Sequence, residues 1–151
     1  MQTRSIHHTG FTVSDLERSI AFYRDVIGLE LIRRQGGTHD YLGKVTGFPG
    51  VDLRIAIFQV SEDQDHILEL LHYVSHPAEP TARETNRPGN GHLAFIVDDA
   101  WAAYRELRDA GVEMVNEPAE VTAGINAGGK AFYFRDTDGF TLEMIQRRPA
   151  G

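Results

Sequence analysis

Two histidines and two glutamates, His8, Glu69, His92 and Glu143, are the residues of this chain whose types and spacing suit metal chemistry. Glu69 interrupts the run Ile67-Leu68-Glu69-Leu70-Leu71, and Glu143 interrupts Thr141-Leu142-Glu143-Met144-Ile145. A carboxylate placed in a strand destined for burial is costly unless it is paired or bound to a metal. Taken singly, a strand histidine is more often a satisfied structural residue, and a strand glutamate an edge charge or half of an ion pair. Their joint placement changes that reading, because each His/Glu pair falls at matching points of a repeated unit. Two imidazoles and two carboxylates suit one divalent ion (Ni, Co, Zn, Mn, Fe or Mg) with positions left for water or substrate. A glutamate can also move a proton, so Glu143 and Glu69 are the candidate catalytic residues as well as ligands.

The elements that must position these four residues are written twice. His8-Thr9-Gly10-Phe11-Thr12-Val13-Ser14-Asp15 lies over His92-Leu93-Ala94-Phe95-Ile96-Val97-Asp98-Asp99, with Phe, Val and Asp at the same steps after each histidine. Each copy alternates as a strand does, which puts His8 and His92 on the face opposite Phe11/Val13 and Phe95/Val97. A helix follows each strand. Ser14 or Asp15 caps the first, with Leu16, Ile20, Tyr23 and Ile27 at helical spacing and Gly28 as its stop; Asp99 caps the second, with Trp101, Tyr104 and Leu107 as its apolar stripe. Strands are expected at Leu29–Ile32, Leu53–Val60 and His66–Tyr73 in the first copy, and at Val112–Val115, Lys130–Arg135 and Phe140–Gln146 in the second. The copies are offset by 84 residues, too long for a solenoid repeat and right for a duplicated half-domain. The expected fold class is α+β: two tandem βαβββ modules, at about 5–74 and 92–147 of a single 1–151 domain, joined by a connector at about 75–91.

Two segments are expected as loops. Gly36–Gly50 is long and glycine-rich, and its His39, Tyr41 and Lys44 are either pocket-lining or, more commonly for such residues, solvated. Ser75–Gly91 is rich in proline and glycine; its Arg83 and Arg87 are read as solvated rather than anion-binding. Strand parity sets His72 and His7 on the wrong face to join the ligands. Trp101 is read as core.

Composition narrows the function classes. The formal charge is −7, from 15 basic and 22 acidic residues, and no basic face for nucleic acid is evident. Cysteine is absent, which excludes disulfides, thiolate metal sites and a cysteine nucleophile. No apolar run approaches the roughly 18 residues of a membrane span. These features lead to the expectation of a cytoplasmic protein acting on a small molecule, without nucleic acid or membrane, and most simply as a homodimer, since an isolated half exposes a sheet edge and an apolar face.

The residues His8…Val13-Ser14-Asp15-Leu16-Glu17-Arg18-Ser19-Ile20-Ala21-Phe22-Tyr23, Glu69-Leu70, His92…Val97…Asp99 and Asp136-Thr137-Asp138-Gly139…Glu143 resemble the vicinal oxygen chelate superfamily, over nearly the whole chain. That superfamily includes glyoxalase I, methylmalonyl-CoA epimerase, extradiol dioxygenases and bleomycin and fosfomycin resistance proteins. The resemblance implies paired modules forming a cupped mixed sheet around one metal, helices outside. It also implies a glyoxalase- or epimerase-type lyase or isomerase, in which the metal binds a carbonyl oxygen and stabilises an enediolate. The His/Glu/His/Glu set is similar to bacterial glyoxalase I, whereas the epimerases usually have Gln where Glu69 stands. Thr12 and Tyr73 stand where glyoxalase I usually has an Arg and an Asn, which argues against glutathione. The first alternative is an extradiol-type ferrous dioxygenase using His8, His92 and Glu143 as a 2-His-1-carboxylate triad; the second is a drug-binding resistance protein.

Overall fold

The computed structural model describes residues 2–60 and 66–148. The chain divides into two compact units, Met1–Glu79 and Pro80–Gly151. The class is α+β, with a four-stranded mixed sheet in each unit.

In the first unit β1 (His8–Thr12) leads into α1 (Leu16–Ala21), which continues as a π-helical turn over Phe22–Val26. Asp15 is the cap, its side chain accepting from the Arg18 amide at 3.1 Å. There follow β2 (Glu30–Gly37), α2 (Asp40–Thr46), β3 (Leu53–Gln59) and β4 (Ile67–Tyr73). Their spatial order is β1-β4-β3-β2. β1 runs parallel to β4, and the other neighbours are antiparallel. The alternation divides the side chains as expected. Phe11, Ala56, Phe58, Leu68 and Leu70 are buried with Leu16 and Ile20 of α1 and Tyr23 of the π-helical turn.

The other face of this sheet holds a second apolar cluster: Leu42, Val51, Leu53, Ile55 and Ile57, with Ile67, Leu71 and Tyr73 packed against it. Leu42 comes from α2, which occupies the segment expected to be a loop. His39 begins the helix from an extended conformation, and Gly47 ends it in the left-handed conformation at φ 80°, its amide donating to Gly43 O. Seven residues with a glycine among them give a weak periodic signal. Tertiary burial of Leu42 supplies what propensity does not. His39, Tyr41 and Lys44 are exposed on this helix, in keeping with the solvated reading, with the His39 and Tyr41 rings stacked 6.1 Å apart.

The second unit repeats the plan. β5 (His92–Ile96), α3 (Ala100–Asp109), β6 (Ala119–Glu120), β7 (Lys130–Arg135) and β8 (Thr141–Gln146) assemble as β5-β8-β7-β6, again with the first pair parallel. Asp99 caps α3 by accepting from the amides of Trp101 and Ala102. Tyr104 and Leu107 are buried as expected, but Trp101 is 38% exposed and rests edge-on against Tyr104. It occupies the first turn of α3, where the helix edge is open to solvent.

The edge strand also departs from expectation. Val112–Val115 runs beside β7, donating Val115 N to Tyr133 O and accepting at Glu113 O from Arg135 N, yet it forms only an isolated bridge at Met114. Asn116 interrupts it: its side-chain oxygen takes the Tyr133 amide at 2.9 Å. Pro118, with no amide to give, follows before β6 resumes the ladder.

The packing of α2 yields a stability prediction. Leu42→Ala removes a buried side chain from the apolar cluster and should cost about 2–5 kcal/mol in chemical denaturation. A loss below about 0.5 kcal/mol, typical of exposed positions, would show that α2 does not pack there.

Candidate metal centre

The parallel strand pairs place the four ligand candidates. Gly10 is the register partner of Glu69 on β4, and Ala94 is the register partner of Glu143 on β8. In both units the histidine stands two residues before that partner, so it shares a face with the glutamate. The small residue opposite each carboxylate leaves room for the imidazole to reach it. His8 Nε2 lies 3.8 Å from Glu69 Oε2, and His92 Nε2 lies 3.2 Å from Glu143 Oε2. The histidine side chains are about half exposed (44% and 48%), while the glutamates are mostly covered (15% and 13%).

The chemistry of each pair, one imidazole and one carboxylate, suits a divalent ion. Two ligands at about 2.1 Å from one metal and at right angles lie roughly 3 Å apart. The His92/Glu143 pair is close to that separation already. The His8/Glu69 pair is wider, and His8 Nδ1 meets His7 Nδ1 at 2.8 Å, an imidazole partner rather than the carbonyl or carboxylate that often orients a ligating histidine. Among the described residues no group of three or more His, Asp or Glu side chains is gathered as a ready metal site. The structure therefore brings together His8 with Glu69, and His92 with Glu143, each pair within its own unit.

His72 is paired in register with Arg54 and lines a groove with Arg34 and Arg54 beside the start of α1, away from Glu69 as its parity requires. Arg87 is held by Glu84 within the connector, and Arg83 pairs with Glu113 at 2.9 Å while crossing over Gly139. Both arginines are exposed, in keeping with solvated residues of the connector.

Comparison with known proteins settles the family. Residues 5–144 match the Glyoxalase/Bleomycin resistance protein/Dioxygenase superfamily. The chain belongs to that superfamily. It is 31% identical over 151 residues to a 2-epi-5-epi-valiolone epimerase of Actinomyces sp., covering 97% of this chain and 81% of that one. It is 28% identical over 140 residues to a probable lactoylglutathione lyase of Synechocystis sp., covering 92% of each. Among solved structures, a glyoxalase family protein from Bacillus cereus superposes with a TM-score of 0.82 at 24% identity, covering 98% of this chain and 97% of that one. The last likeness speaks for the superfamily fold alone.

Three residues on the face of the His92/Glu143 pair escaped the sequence reading. Tyr133 is the register partner of Glu143, and Arg135 is the register partner of Thr141, which in turn faces His92. The Tyr133 ring sits 5.2 Å from that of His92. Burial, and secondarily the Glu143 carboxylate, push the Tyr133 hydroxyl above its usual pKa, so it stays a proton donor at neutral pH. Counting back in twos from Glu143 would have found Thr141, whereas Tyr133 and Arg135 needed the pairing of β7 with β8.

Burial also raises the Glu143 carboxyl pKa, with His92 pulling more weakly the other way. A raised carboxyl favours the protonated folded state. Its contribution is fully present below the unfolded value and is lost as pH rises through the folded value. In metal-free protein, Glu143→Gln should therefore melt at a higher temperature than wild type near pH 7, and the gap should close as pH falls toward 4. A gap that is constant across this range would reject a desolvated Glu143.

Proposed function

We propose that this protein is a divalent-metal-dependent enzyme of glyoxalase or epimerase type, in which His8, Glu69, His92 and Glu143 supply one ion with four protein ligands. The observation that carries the reading is the matched His/Glu pair of each unit, set at the same register on the same kind of parallel strand pair. The protein is expected to act as a homodimer. The names of the relatives, a lyase and an epimerase, point to the same redox-neutral class. When bound, the ion supplies the Lewis acidity that makes a C–H beside a carbonyl acidic.

The chain's own residues would do the rest. Glu143, whose carboxyl is pushed upward by burial, is suited to take the proton from that carbon and return it. Glu69, in the matching place of the other unit, is the second proton carrier and makes a two-base epimerisation accessible to the same scaffold. Tyr133, kept protonated beside Glu143, can donate a hydrogen bond to an oxygen that gains charge as the proton leaves. The substrate class is a small carbonyl or thioester compound, and the protein is expected to work in the cytoplasm. No helix among the described residues is long and apolar enough to cross a membrane.

The test loads metal-stripped protein with each of Ni²⁺, Co²⁺, Zn²⁺, Mn²⁺, Fe²⁺ and Mg²⁺ and offers a thiohemiacetal, an acyl-CoA and a catechol. Turnover should persist under nitrogen and with redox-inert Zn²⁺ or Mg²⁺. Glu69→Gln should keep measurable metal affinity, because an amide oxygen still ligates. Glu69→Ala should lose roughly 10–100-fold or more, at least the scale seen for second-shell partners. Oxygen uptake matching substrate loss one for one, with Glu69→Ala still active, would replace this reading with the ferrous dioxygenase.

A further inference from the structure

Arg135 is a buried cation with no carboxylate partner among the described residues. It is 9% exposed, and its guanidinium donates to the Thr141 hydroxyl. Among the described residues no carboxylate lies within ion-pairing distance of it, although eight other His or Arg side chains are so paired. An arginine does not escape such a position by losing its proton, because its pKa is too high. An uncompensated buried charge is destabilising unless something else meets it. No guanidinium nitrogen is both sealed and unpartnered among the described residues, so the donors not given to Thr141 keep access to solvent. They are open to an incoming group.

The register says where that group would be. His92, Thr141 and Arg135 form one row across β5, β8 and β7, and Ala94, Glu143 and Tyr133 form the next. Alternation puts His92, Glu143, Tyr133 and Arg135 on one face. Strands lie about 4.8 Å apart, and alternate residues about 6.7 Å along a strand. A guanidinium reaching back to Thr141 on the middle strand is therefore within a small molecule's length of His92 and Glu143.

We infer that Arg135 is a specificity-determining residue that holds an anionic group of the substrate, a carboxylate or phosphate placed roughly two to four bonds from the reacting carbonyl, a reach set by the strand spacing. This rests on the metal-centre reading given above. Arginine's planar fork suits both anions, because it offers them two parallel hydrogen bonds. The preferred substrate is thus a carbonyl compound with its own acidic tail, recognised inside the site rather than through a large carrier bound at the rim.

Three hydroxamates test this on Co²⁺-loaded protein, with the cobalt absorption band reporting that the ion is retained and calorimetry reporting affinity. Hydroxamate chelates a metal through two neighbouring oxygens, and the three differ only in the tail: a butanedioic-acid monohydroxamate with a free carboxylate, its neutral terminal amide, and a phosphonate of similar length. The carboxylate or the phosphonate should bind at least about tenfold tighter than the amide, the scale of a charge-assisted hydrogen-bonded pair, and whichever gains more identifies the anion. In Arg135→Gln that preference should vanish while affinity for the amide stays within about twofold; Arg135→Lys should keep part of it. If the amide binds and neither anionic tail gains, the inference fails and the metal centre stands. If no hydroxamate perturbs the cobalt band, the metal-centre reading fails and takes the inference with it. The wild-type comparison needs no variant, so a variant that does not fold leaves the tail preference decisive.

Discussion

A carboxylate in the middle of an apolar strand is the constraint around which each unit is arranged. Glu69 and Glu143 are flanked in sequence by residues that are buried behind the sheet, Leu68 and Leu70 in one case, Leu142 and Met144 in the other. Those neighbours hold the strand at the centre of the sheet, with a partner strand on each side. The glutamate therefore cannot pass to the opposite face without breaking two ladders. Its charge must be met where it stands, and the nearest partner in each unit is the histidine from the parallel neighbour strand. The same cost is met in the same way in both units, by one histidine for each glutamate.

The small residue in register with each carboxylate follows from the same constraint. A side chain at position 10 larger than glycine would crowd Leu71 Cδ1, which lies 3.1 Å from where its Cβ would be. Ala94 is the least that a non-glycine can be. Beyond the shared core of the arrangement the halves diverge. The first carries an apolar cluster under α2 on the face of its glutamate, whereas the second carries Tyr133, Thr141 and Arg135 there. On the face of its glutamate, one unit presents apolar residues and the other polar ones.

Much of this was legible in the sequence because it depends on short-range period. Alternation around His8 and His92, the Asp15 and Asp99 caps and the apolar setting of the glutamates each need only a few consecutive residues. The same reasoning that excluded His72 by parity agrees with its register opposite Arg54. What escaped depends on tertiary context. α2 is short and is stabilised by Leu42 packing on a distant strand; the second edge strand is broken by an Asn116 side chain that takes a backbone amide; and Trp101 fits a helical stripe without being covered. Tyr133 and Arg135 needed the pairing of β7 with β8, which period alone does not give.

That pairing also bears on how far family likeness can be carried into chemistry. A shared fold positions a reactive center but does not choose the substrate. In the reading proposed here the choice lies in whichever side chains share the face of the candidate ligands, and β7 and β8 place Tyr133, Thr141 and Arg135 on the face of His92 and Glu143. Thr141 is the pivotal residue of that set: it lies between His92 and Arg135 in one row, is itself buried, and accepts the guanidinium's hydrogen bond. A threonine there fixes the arginine over the middle strand with only one of its donors used among the described residues. A carboxylate in the same place would have neutralised the cation, and an apolar residue would have let it turn out to solvent. The hydroxyl holds the charge in place without quenching it, the condition under which a buried guanidinium is available for recognition.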